Sequence, residues 1–88
     1  MERSVSVFRL RGELSDGMFP DERFIELRDH NGRSFVLIVP ADRVDAHGAI
    51  DVRIIDESGG VALVRLPGEL LNAGRTLSVN RSELSEVV

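Results

Sequence analysis

Residues 29–40 read DHNGRSFVLIVP, a polar turn signal followed by five consecutive apolar residues and a proline. Aspartate at the first position of a turn and glycine at the fourth suit a type I turn closed by a left-handed glycine, so Asp29 and Gly32 mark a hairpin tip. The competing choice is a two-residue turn at Asn31-Gly32, which shifts the register by one residue and turns the partner strand inside out. The first choice is taken here. Val36 and Ile38 lie opposite Phe35, Leu37 and Val39, so this strand is apolar on both faces and reads as central, or as covered by another subunit. Pro40 ends it. Upstream, Ile25 and Leu27 alternate with Glu26 and Arg28 as the partner strand.

Working outward, VSVFRLRGEL (5–14) alternates in period two, with Phe8, Leu10, Gly12 and Leu14 on one face and Arg9, Arg11 and Glu13 on the other. Val5 and Val7 fall out of phase, which predicts a bulge near residues 7–8. The loop SDGMFPDER (15–23) is broken by Gly17 and Pro20. Beyond Pro40, ADRVDAHG reads as one helical turn and a loop. Ile50, Val52 and Ile54 form a further strand, DESGG (56–60) a turn, and VALVRL (61–66) a strand ending at Pro67. GELLNAG is turn-like, RTLSV a strand, and Asn80 with Glu83 resembles a capping box that opens a last helical turn. No segment of ten or more residues has a strong helical period. The expected fold is mostly β: a single small β domain over residues 1–88, as a small barrel or two-layer β fold of about six strands with only short helical turns.

Sliding the chain by 27 positions lays Asp29 on Asp56, Gly32 on Gly59, Pro40 on Pro67, Ala46 on Ala73 and Val52 on Val79 without a gap. These are residues that turns and strand ends need. They define an internal repeat of 24–50 on 51–77, two pseudo-repeated hairpins with the N-terminal strand closing one edge. His30 falls on Glu57 and His47 on Gly74, so neither histidine repeats.

Composition narrows the functions. All 11 cations are arginine, cysteine is absent, and the formal net charge is −4. Arginine-only usage fits a GC-rich, bacterial genome, and it excludes lysine Schiff-base and P-loop chemistry. Without cysteine there is no disulfide and no thiolate metal site. Residues 1–44 carry 7 arginines against 8 acids and residues 45–88 carry 4 against 7, so any basic patch is expected to be local and drawn from the first half. No apolar run approaches the ~20 residues of a membrane span and the N-terminus lacks a signal-peptide core, so a soluble, cytoplasmic chain is expected.

Asp29-His30 and Asp45-x-His47 have the residue types of a divalent-metal site, yet both pairs sit in turns where exposure accounts for them. No G-x-S-x-G elbow is present and Gly59-Gly60 is too short for a phosphate loop. The expectation is therefore no catalytic residue, no metal and no cofactor. Met18 and Phe19 are large apolar residues in a polar loop, read either as a plug under the barrel or as an anchor for a partner. Arg9, Arg11, Arg28, Arg33 and Arg43 could cluster if the first strands are neighbours, but no basic–aromatic alternation accompanies them. Partner-binding candidates are Met18, Phe19, Arg9 and Arg11.

Residues 36–67, VLIVPADRVDAHGAIDVRIIDESGGVALVRLP, resemble the swapped-hairpin DNA-binding antitoxin and transition-state-regulator domains. Pro40, Arg43, the Gly59-Gly60 turn and Pro67 occupy comparable places. The resemblance implies a small DNA-binding regulator; a shorter helix and the lack of a basic run depart from it. Strands apolar on both faces need cover, which predicts a homodimer. The reading carried forward is a non-enzymatic small β domain acting through protein–protein or self-association contacts, with DNA binding as the alternative.

Overall fold

A computed structural model describes residues 7–71 and 73–87; Val5 and Asn72 lie outside them. The DHNGR turn forms as the glycine position requires. The Gly32 N–H donates to the Asp29 carbonyl at 2.9 Å, and the Asp29 carboxylate accepts the N–H groups of Asn31 and Arg33 at 2.9 and 2.8 Å. Gly32 has φ +84°, which an L side chain adopts only with strain. This tip sets the register of β3 (Glu22–Arg28) against β4 (Ser34–Pro40), with Ile25 opposite Leu37 and Arg28 opposite Ser34.

Among the described residues, eight antiparallel strands follow one another with two single turns of 3₁₀ helix between them. The others are β1 (Val7–Arg11), β2 (Glu13–Asp16), β5 (Ala49–Ser58), β6 (Val61–Leu70), β7 (Gly74–Asn80) and β8 (Ser85–Glu86). The 3₁₀ turns cover Ala41–Arg43 and Arg81–Glu83. The sheet runs β2-β3-β4-β6-β5-β1-β8, with β7 on the other edge of β6, and it curls into a half-barrel. Its concave side holds one core that includes Phe8, Leu10, Ile25, Leu37, Ile50 and Val64. Fully burying a side chain of this size stabilises the fold by about 1.5–3 kcal/mol. No helix is long and apolar enough to cross a membrane among the described residues.

Several local expectations change. The β1–β5 ladder runs from Val7 to Arg11 without a shift, so the bulge expected near residues 7–8 is absent from the described part. The irregularity lies instead in β5, between Ile54 and Asp56. Leu14 keeps to the core face, opposite the buried Ile25, but on the outermost strand it stays 38% exposed. At Gly12 the chain leaves β5 and turns to pair with β3, because the β3 backbone and Ile25 press against the Gly12 Cα with no room for a Cβ. Pro67 does not end a strand: β6 runs on to Leu70. Pairing of β6 with β5 stops at Arg65 and pairing with β4 begins at Glu69, so the missing N–H of Pro67 falls in a gap and removes no ladder bond. Gly68 follows because its Cα lies against the Ile38 carbonyl. Asn80 precedes a helical turn as expected, but its side chain makes no cap bond.

The 27-residue shift relates two hairpins, β3–β4 and β5–β6, that both form but in different registers: Ile25 faces Leu37, whereas Val64 faces Ile54 and not Val52, and the turn expected at 56–60 shrinks to Gly59-Gly60 because β5 runs on to Ser58. Their continuations differ, since Pro40 ends β4 and Pro67 lies inside β6. The backbone obeys a second correspondence. Adding 40 carries β4 (Ser34–Pro40) onto β7 (Gly74–Asn80) and Ala41–Arg43 onto Arg81–Glu83, end for end. Adding 39 carries β3 onto β6, and the paired registers agree: Ile25 opposite Leu37 becomes Val64 opposite Leu77, and Arg23 opposite Val39 becomes Ala62 opposite Val79. The Ala41 N–H to Asp21 carbonyl bond reappears as Arg81 N–H to Gly60 carbonyl, both at 2.8 Å. Val44 bridges Ile50, and its counterpart Leu84 is buried just before β8, whose pairing with β1 begins at Ser85 opposite Arg9. Leu10 and Ile50 are themselves paired, so an approximate two-fold axis passes through the β1–β5 ladder between them.

Candidate functional site

Two surface features hold the sequence-derived candidates, and the structure keeps them apart. Met18 and Phe19 form the bend between β2 and β3, 79% and 62% exposed. Phe19 is therefore no plug beneath the sheet. Its backbone is held firmly all the same. The Phe19 carbonyl accepts the Glu22 N–H at 3.1 Å, and the Arg23 guanidinium donates to the Pro20 and Glu22 carbonyls at 2.9 Å each. The neighbouring strand β2 ends the sheet order and is exposed along its length.

Arg9 and Arg11 project from the outer face of β1, since alternate residues Phe8 and Leu10 point into the core. Arg9 lies opposite Asp51 and its Nε sits 3.4 Å from the Asp51 carboxylate. Both partners are more than half exposed, so this pair contributes well under 1 kcal/mol. Around it runs a continuous shallow trough, built from concavities that share walls along the β1–β5 face. Its middle is lined by Arg9, Asp42, Asp45, Ala49 and Asp51. At one end Arg43, Arg53 and Arg65 surround an open cleft of about 360 Å³. At the other, Arg11, Glu13, Glu26, Arg28 and Glu83 surround a cleft also of about 360 Å³.

The basic cluster thus differs from the one expected of the first half of the chain. Arg53 and Arg65 come from the second half and stand directly opposite each other across β5 and β6. Arg43 joins them from the first 3₁₀ turn. Arg11 and Arg28 lie at the acidic end instead, and Arg33 belongs to the β3–β4 tip. Arg53 and Arg65 could not have been selected from sequence, because only the bulged β5–β6 register makes them neighbours.

The turn at residues 45–49 repeats the chemistry of the opening stretch. Gly48, with φ +81°, donates its N–H to the Asp45 carbonyl at 3.2 Å. The Asp45 carboxylate accepts the N–H groups of His47 at 2.8 Å and Ala49 at 3.0 Å. The Ala49 bond foremost, then that from His47, holds the Asp45 carboxyl below the usual carboxylate range. His47 serves here through its backbone, and so does His30, whose N–H donates to the Ser78 carbonyl on β7 at 2.8 Å. Among the described residues, no three His, Asp or Glu side chains gather as metal ligands would.

Comparisons with protein families, with curated proteins and with solved structures find no match to this chain. The functional reading therefore rests on the geometry above.

Proposed function

We propose that this chain is a non-enzymatic small β domain that works by making protein contacts, self-association among them. The observation that carries this reading is the β2–β3 hairpin: Met18 and Phe19 present their side chains to solvent on a turn whose backbone is tied down. A rigid turn offering two large apolar side chains loses little conformational entropy on binding, which suits an anchor. The test is a paired measurement on the intact chain and on a Met18→Ser/Phe19→Ser variant. Sedimentation follows the mass, and crosslinking in extracts of the native host follows captured proteins. The wild type is expected to form a complex above its 9.7 kDa monomer mass, with itself or with a captured protein, and the variant to lose at least one such complex. A wild type that stays monomeric and captures nothing sinks the reading.

A DNA-binding role is the second reading, favoured by Arg43, Arg53 and Arg65 at one end of the trough. A gel shift with duplex DNA separates the two, since arginine–phosphate binding must weaken steeply as salt rises.

A further inference from the structure

The two ends of the trough correspond to each other under the molecule's own approximate two-fold, and their charges are opposite. Adding 40 takes Arg11 to Asp51, Glu13 to Arg53 and Arg43 to Glu83; adding 39 takes Glu26 to Arg65. At all four positions the sign inverts, and all eight side chains are exposed. Each end also contains a like-charged pair set face to face across the ladder. Arg53 stands opposite Arg65, and Glu13 stands opposite Glu26. Like charges placed directly opposite on one sheet face destabilise the chain that carries them. Among the described residues none of these four forms an ion pair. The two ends are therefore opposite in charge at corresponding positions, and each places two like charges where an opposite pair would relieve them.

We infer that the trough is a self-association surface, with the Arg53–Arg65 end of one copy seated against the Glu13–Glu26 end of a second. The inference rests on the protein-contact reading above and names a second copy of this chain as the partner. Because both ends flank the same β1–β5 face, one two-fold axis between the copies makes both contacts at once. That axis lies perpendicular to the molecule's own pseudo-axis and to the line joining the two ends. In such an isologous dimer residue i meets j and j meets i, so four arginines and four glutamates form two equivalent mixed clusters. The occupant follows from charge complementarity: a polyanion laid along the trough would meet Arg43, Arg53 and Arg65 at one end but Glu13, Glu26 and Glu83, beside Arg11 and Arg28, at the other.

The experiment uses two charge-reversal variants of the intact chain. Arg53→Glu/Arg65→Glu makes both ends acidic, and Glu13→Arg/Glu26→Arg makes both ends basic. Sedimentation at low ionic strength is expected to show the wild type as a dimer that dissociates as salt rises, because exposed charge pairs are screened. Each variant alone is expected to be a monomer, and an equimolar mixture of the two to restore the dimer. That recovery also shows that neither variant failed through misfolding. A wild-type dimer that both variants retain overturns the inference while leaving self-association through another surface intact. A wild type that is monomeric at every concentration removes self-association altogether. A monomer that binds DNA through Arg53 and Arg65 assigns the basic end to phosphate and likewise overturns the inference.

Discussion

Residues 7–44 and 47–84 share one backbone plan while their surfaces diverge. The buried positions agree in kind: Leu10 with Ile50, Leu37 with Leu77, Val39 with Val79. Outside the core almost nothing is shared, and at the trough the charges are reversed. Where the strands are matched, the identities Leu27/Leu66, Leu37/Leu77 and Val39/Val79 all lie in the core. The lesson is where the constraint lies. A curled sheet demands apolar residues of roughly fixed volume at a few inward positions, and it leaves the outward ones free.

The largest effect should come from breaking the shared core. Leu37→Ala and Leu77→Ala each remove a buried side chain from equivalent positions, and each is expected to cost about 2–5 kcal/mol in denaturant unfolding. A cost for Leu77→Ala far below that of Leu37→Ala would show that the two halves do not share the core equally.

A smaller effect should sharpen the main backbone difference. The counterpart of Gly12 is Val52, which sits inside the continuous strand β5, whereas Gly12 separates β1 from β2. A Cβ at Gly12 would lie 2.5 Å from both the Glu26 carbonyl oxygen and Ile25 Cγ2. Gly12→Ala is expected to lower stability by about 1–3 kcal/mol through this overlap. A thermal melt that leaves Gly12→Ala unchanged would mean that β2 can move outward freely.

The smallest effect concerns the inverted charges within one molecule. Arg65→Glu places a carboxylate opposite Arg53, and Glu26→Arg places a guanidinium opposite Glu13. Each change turns a like-charged cross-strand pair into an opposite one. Each is expected to raise the monomer's stability by a few tenths of a kcal/mol at low salt, and the gain should fade as salt rises. A loss of stability in either variant at low salt would show that the pair is not electrostatically frustrated.

Some of this was legible in the residues. Asp29, Gly32 and Pro40 have few ways to be used, so the β3–β4 hairpin, its register and its central place could be read locally. The strand period also located most of β1, β3, β5 and β7. Pro67 misled because a proline ends a strand only where its N–H would be needed. The β6 strand escapes that demand by changing partners there. The short β8 strand gave no sequence signal, since two exposed residues, Ser85 and Glu86, carry no alternation.

The site was less legible than the fold. Met18 and Phe19 stood out as apolar residues in a polar loop, and Arg9 and Arg11 as the polar face of an alternating strand. Nothing local links Arg43 to Arg53 and Arg65, or Glu13 to Glu26 and Glu83. The 27-residue shift offers 5 identities in 30 pairs, whereas a uniform 40-residue shift over residues 7–44 offers only 3 in 38. Identity therefore favours a pairing whose register the ladders do not follow.

The residues alone determined that this chain is mostly β, that it turns at Asp29–Gly32, and that a lysine- and cysteine-free chemistry is all it can offer. These are local matters of period, φ preference and composition. Tertiary structure decided which strand lies beside which, where Pro67 could be tolerated, and how four acid–arginine reversals came to face one trough. The reason is that long-range antiparallel register is set by how all the apolar faces close over one core, and no single segment contains that information.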